Sequence, residues 1–154
     1  MLVEEVLETE EIIEEEEMPS FNHSYICWQI SQQLSENKEI APLPELTLDI
    51  DKGITPDICV YPLEQVKPDF FQDFPRYSQM PILAIEVISA SQNIQDLLDK
   101  AKMLTSQGVR TVWVIEPYTR SVFVIDKNNR RIIHNDLVES EGIKVDFRQI
   151  FGTN

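Results

Sequence analysis

Hydrophobic positions change their spacing several times along the chain, and each change predicts an element. Ile26, Ile30, Gln33 and Leu34 recur at helical spacing with Trp28 beside them, and Pro19-Ser20 marks the start. These positions predict a helix over about 23–37. Pro42-Leu43-Pro44 then reads as a linker. Glu45 to Ile50 alternates like a strand, Asp51-Lys52-Gly53 is a turn signal, and Ile54 to Tyr61 is a second strand, so the two predict a hairpin. Ile82 to Ile88 is almost continuously apolar, the pattern of a strand buried on both faces. From about Asn93 to Gln107, Ile94, Leu97, Leu98, Ala101 and Leu104 form one helical stripe, which Gly108 ends. Val109–Glu116, Ser121–Asp126 and Arg131–His134 read as further strands, with Asn128-Asn129 as a turn, and 143–151 as a last short strand or helical turn. A strand, a helix and a strand in succession imply one right-handed crossover and a parallel pair. The expected fold is α/β (α+β): a mixed β-sheet flanked by helices.

Composition adds three things. The 154 residues, 42% of them hydrophobic, suit one domain with a real core, expected over 18–154. The net charge of −14 is uneven: nine of the 27 acids are glutamates within residues 1–17, a stretch without lysine or arginine. That stretch reads as a flexible acidic leader, in which Leu2, Val3, Val6, Leu7, Ile12 and Ile13 could form an amphipathic segment docking on the body or on a second subunit. The remaining 18 acids still outnumber the 13 bases, so composition gives no global support to a nucleic-acid partner. Finally, no apolar run approaches membrane length, and the start is acidic rather than basic, so a cytoplasmic protein is expected.

Two carboxylates stand out. Glu86 interrupts the apolar run 82–88, where a lone charge must be neutralised, paired or metal-bound. Asp57 follows Pro56, which belongs at a strand start or edge, and strand ends often carry functional groups. If the two strands are neighbours with matching faces, both acids share a pocket, where a hard divalent ion such as magnesium would relieve their repulsion. Lys100, on the border of the stripe 94–104, either reaches back over the strand ends or pairs with Asp96 on the surface.

These residues also carry a resemblance. Thr55-Pro56-Asp57-Ile58, Ile85-Glu86-Val87-Ile88-Ser89, Asp96-Leu97-Leu98-Asp99-Lys100 and Gly108 to Ile115, in that order and spacing, resemble the Uma2 (DUF820) family, abundant in cyanobacteria and assigned to the restriction-endonuclease-like, PD-(D/E)xK fold. The resemblance spans about residues 20–151. It implies a Mg²⁺-dependent endonuclease, with Mn²⁺ as substitute, acting on DNA. Asp57 matches the motif's aspartate and Glu86 its second acid, and the Val87 carbonyl would complete the metal shell. Ile88 stands where the written motif has lysine; the family pattern supplies a lysine from the following helix, corresponding to Lys100, with Lys102 the near alternative. Leu104 replaces a tyrosine common there. Gln29 and Glu17 lie near where some nucleases of this fold place a first-helix residue. Such nucleases often pair, so a homo-oligomer, a dimer first, is expected.

Other positions carry blander expectations. His23 reads as a helix-start residue, His134 as a surface residue at a strand end, Trp113 as core, and Cys27 and Cys59 as plain buried thiols. Lys127, Arg130 and Arg131 cluster at a hairpin tip, a solvated turn or a phosphate contact. Residues 62–80, with Phe70, Phe71, Phe74 and Tyr77, either cap one end of the core or meet a second subunit. A non-catalytic interaction module and a nuclease subunit that depends on a partner for DNA affinity are the competing functions.

Overall fold

The computed structural model describes residues 18–153. The leader 1–17, with Glu17 and the amphipathic segment read into it, lies outside the described residues. The chain begins with α1 (Phe21–Leu34), capped by Ser20, whose side chain accepts from the His23 N–H at 3.3 Å. There follow β1 (Ile40–Pro44), β2 (Ile58–Pro62), β3 (Leu83–Val87), α2 (Ile94–Ser106), β4 (Thr111–Glu116), β5 (Ser121–Ile125) and β6 (Arg130–His134). The six strands form one mixed sheet in sequence order, antiparallel except for the parallel β3–β4 pair that α2 bridges. This is the expected mixed sheet flanked by helices. No helix among the described residues is long and apolar enough to cross a membrane.

β3 is buried along its whole length because both faces of the sheet are covered. On one face Ile58, Val60, Leu83, Ile85 and Val87 pack against Ile26, Ile30 and Leu34 of α1. On the other, Cys59, Tyr61, Ala84, Val112 and Val114 pack against Leu97, Ala101 and Leu104 of α2. α2 ends as the sequence expects. Gly108 takes φ +110°, and the N–H groups of Val109 and Gly108 reach back to the carbonyls of Leu104 and Thr105. That pairing satisfies carbonyls the helix leaves open and turns the chain directly into β4.

The first half of the sheet departs from expectation. β1 is the stretch read as a linker, and it pairs with β2 from Ile40↔Pro62 to Pro44↔Ile58. The predicted hairpin partner 45–50 contributes only bridges, from Leu48 to Ile54 and to Tyr77. The physical reason lies in which side of β1 each residue turns to the ladder. The Leu63 N–H bonds the Glu39 carbonyl and the Glu45 N–H bonds the Asp57 carbonyl, so odd-numbered residues face β2. Pro42 and Pro44 then face outward from an edge strand, where a missing N–H costs nothing. The Asp51-Lys52-Gly53 turn exists, closed by the Gly53 N–H on the Ile50 carbonyl, but it joins a loop.

The C-terminal region is richer than expected. A separate hairpin, β7 (Leu137–Ser140) with β8 (Ile143–Asp146), precedes the short α3 (Arg148–Phe151). Glu141 and Gly142 both take positive φ, as a two-residue hairpin turn demands. Gln33 locks this hairpin to α1, donating to the Asp146 carbonyl at 2.9 Å and accepting from its N–H at 2.8 Å. Trp113 is core as expected, and its ring N–H donates to Ser140.

Candidate active site

The sheet places Asp57 and Glu86 by simple alternation. In the antiparallel β2–β3 pair, Cys59 faces Ala84 and Ile58 faces Ile85. The next pair outward is Asp57 with Glu86, on the α2 side of the sheet where β2 begins and β3 ends. The two acids are tied together reciprocally. The Asp57 N–H donates to Glu86 Oε1 at 2.9 Å, and the Val87 N–H donates to Asp57 Oδ2 at 2.7 Å.

Each acid also has a nitrogen partner from a different helix. Lys100 extends from α2, donating to Glu86 Oε2 at 2.8 Å and to the Thr55 carbonyl at 3.4 Å. Its ion pair is therefore with Glu86 and not with Asp96. Lys102, the near alternative, is exposed. From α1, His23 brings Nε2 to 3.0 Å from Asp57 Oδ1. The sequence predicts only a helix-start position for His23. It is indeed there, but its ring lies between Asp57 and Cys27, whose Sγ is 4.0 Å from Nδ1. Cys27 is thus only half-buried and has polar company, whereas Cys59 is the plain buried thiol expected. A signal for His23 existed in its i, i+4 spacing from Cys27 on the core-facing side of α1. Gln29, by contrast, pairs with Tyr25 on exposed surface.

Burial sets the electrostatics. Glu86 is 3% exposed, and that burial pushes its carboxyl above the ordinary range; Lys100 pulls it back and Asp57 adds to the rise. The hydrogen bond to Asp57 raises His23 from its usual value, against the opposing effect of burial. Burial, with the nearby Asp57 and Glu86 charges, pushes the Cys27 thiol up to about 12; burial does the same to Cys59. The cluster thus sets two adjacent carboxylates between an imidazole and thiol on the α1 side and an amine on the α2 side.

Other candidates lie elsewhere. Lys127, Arg130 and Arg131 belong to the β5–β6 hairpin, where Ile125 is level with Val112 and Arg130. Glu86 is level with Val114, so Arg131, level with Ile85 through Val124 and Trp113, sits three strands across the sheet from the acids, and Lys127 lies in the turn beyond. His134 is exposed at a strand end, as expected. The loop 62–80 behaves both ways. Tyr77 packs edge-on against Tyr61, while Phe70 and Phe71 are 94% and 102% exposed. A groove of about 380 Å³ between Leu43, Tyr61, Phe74 and Tyr77 runs beside this loop and includes none of the clustered acids.

Comparison with known proteins follows the same lines. Residues 6–147 match the model of the Uma2 family, described as "Putative restriction endonuclease". A crystal structure of a "putative nuclease belonging to DUF820" from Anabaena variabilis superposes with a TM-score of 0.73 at 18% identity, over 87% of this chain and 82% of that one. No curated protein matches the chain.

Proposed function

The chain belongs to the Uma2 family, and from that premise we propose that it is a Mg²⁺-dependent endonuclease hydrolysing DNA phosphodiester bonds, with Asp57, Glu86 and Lys100 as catalytic residues. The observation that carries this reading is the convergence of the two acids at one sheet end with the Lys100 ammonium 2.8 Å from Glu86.

The donor set suits a hard ion. Asp57 and Glu86 offer carboxylate oxygens, the ligands magnesium takes, and one or two are its usual complement. Val87 adds a third oxygen by strand geometry. Ile88 bonds β4 through its N–H, and the Val87 N–H points the other way, to Asp57. An extended residue turns its carbonyl to the same edge as its N–H, so the Val87 carbonyl opens on the Asp57 side. When bound, such an ion polarises a phosphoryl oxygen and lowers the pKa of coordinated water.

The chain's own groups do the rest. Lys100 is anchored by Glu86 and the Thr55 carbonyl and keeps partial access to solvent from which to orient an attacking water or a phosphate oxygen. The Val87 N–H and the His23 ring fix both oxygens of Asp57, so its carboxylate is preset before substrate arrives. Burial keeps bulk water off Glu86.

Plasmid nicking with Mg²⁺ or Mn²⁺ tests the proposal: Asp57→Ala and Glu86→Ala fall to background while the parent cuts. Equal activity in all three removes the assignment. Calorimetry with Mn²⁺ gives millimolar or tighter binding in the parent, lost in Asp57→Ala. A second reading, a subunit that takes its DNA affinity from a partner, is favoured by one observation: the basic cluster sits on β6 and its turn, three strands across the sheet from the Glu86 strand. Nicking that appears only after lysate is added supports it.

A further inference from the structure

We propose that His23, Cys27 and Asp57 form a second cation site, selective for a zinc-class transition ion over Mg²⁺. One donor atom from each of the three lies within 4.8 Å of the others, the one such His/Cys/Asp/Glu grouping among the described residues. Four-coordinate zinc, with bonds of ~2.0–2.3 Å, holds its donors roughly 3.3–3.8 Å apart. Nε2 faces Asp57 and Nδ1 faces Cys27, and only one ring nitrogen binds a given ion, so closing the cluster asks for a turn of the imidazole together with shifts of about an ångström.

The scaffold is already built for this. His23 and Cys27 are four apart on α1, so they project from one face of the helix, and the Ser20 cap fixes the turn that carries His23. Asp57 arrives from the sheet end with Oδ2 committed to the Val87 N–H, which leaves Oδ1 directed at the His23 ring. All three side chains are half-buried, shielded from bulk water without being sealed from an arriving ion. Three protein donors leave a fourth position for water.

Ligand chemistry decides the ion. A thiolate and an imidazole favour zinc, cobalt or ferrous ion, whereas magnesium prefers oxygen alone. Asp57 thus belongs to two donor sets of opposite character: carboxylate and carbonyl oxygens toward Glu86 and Val87, nitrogen and sulfur toward α1. The second set stands on its own geometry and does not rest on the nuclease reading.

Cobalt(II), added to the reduced full-length chain at mildly alkaline pH without chelating thiols, is the probe. A saturable thiolate-to-cobalt charge-transfer band is expected in the near ultraviolet, displaced by Zn²⁺ and not by Mg²⁺. Cys27→Ser abolishes the band, Cys59→Ser keeps it, and Asp57→Asn weakens cobalt binding at least ~10-fold. Circular dichroism checks that each variant is folded. If Cys27→Ser is not, His23→Gln supplies the same test, with weakened binding expected. Absence of a band in the parent overturns the site, as does a band that survives Cys27→Ser or is unaffected by His23→Gln. Mn²⁺ binding by the parent, measured in parallel, reports on the oxygen site, so failure of one assignment is not mistaken for failure of the other.

Discussion

Two helices reach the same sheet end and do different work there. α2 delivers Lys100 to Glu86, a carboxylate 4% exposed along its side chain; α1 delivers His23 to Asp57, which keeps 22%. The α2 contact neutralises a charge that has nowhere else to go. The α1 contact orients a carboxylate that water can still reach. A buried acid ties its partner to stability as well as to chemistry, whereas a half-exposed acid leans less on its partner to stay folded.

The largest expected effect probes the α2 side. Lys100→Met strands Glu86 among apolar neighbours and costs about 3 kcal/mol, the low end for a broken buried pair because Lys100 is partly solvated. Adding Glu86→Gln recovers most of that loss, and urea unfolding of the single and double variants measures both. No recovery would mean that Lys100 stabilises by packing instead. The α1 side is expected to weigh less. His23→Gln costs about 1.5 kcal/mol, for one hydrogen bond to a charged group. Because folding raises the His23 value above 6.5, its contribution in metal-free protein is complete below about pH 6.5 and disappears as pH rises through the folded value. Unfolding series across that window, with chelator, therefore slope downward in the parent relative to His23→Gln; parallel curves would break the contrast. The smallest effect sharpens it. Asn93 caps α2 through a 2.8 Å bond and Ser20 caps α1 through one of 3.3 Å. Asn93→Ala is expected to cost about 1 kcal/mol and Ser20→Ala about half that, read from thermal midpoints.

The same contrast explains what the sequence disclosed. Glu86 and Lys100 are 14 residues apart within one strand–helix crossover, so burial pattern and helical stripe together place them. Asp57 was legible through Pro56 and strand alternation, and its register with Glu86 follows from neighbouring strands. His23 is 34 residues from Asp57, and the contact exists only because α1 docks its first turn against the sheet end. No local period encodes that docking. β1 was misread for a related reason: Pro42 and Pro44 forbid a central strand but are harmless at an edge, and edge or centre is a property of the assembled sheet. The C-terminal hairpin was missed although Glu141-Gly142 marks its turn, because strands of four residues give alternation little room.

The prolines of β1 have one more consequence. An incoming chain that tried to extend the sheet on that margin would find pyrrolidine rings where it needs donors. Growth by added strands is thereby confined to the β6 margin, where Arg130 and Arg131 stand exposed and where two copies approaching edge to edge would bring like charges together. The fold thus discourages fibril-like stacking at both ends of its ladder, by geometry at one and by charge at the other.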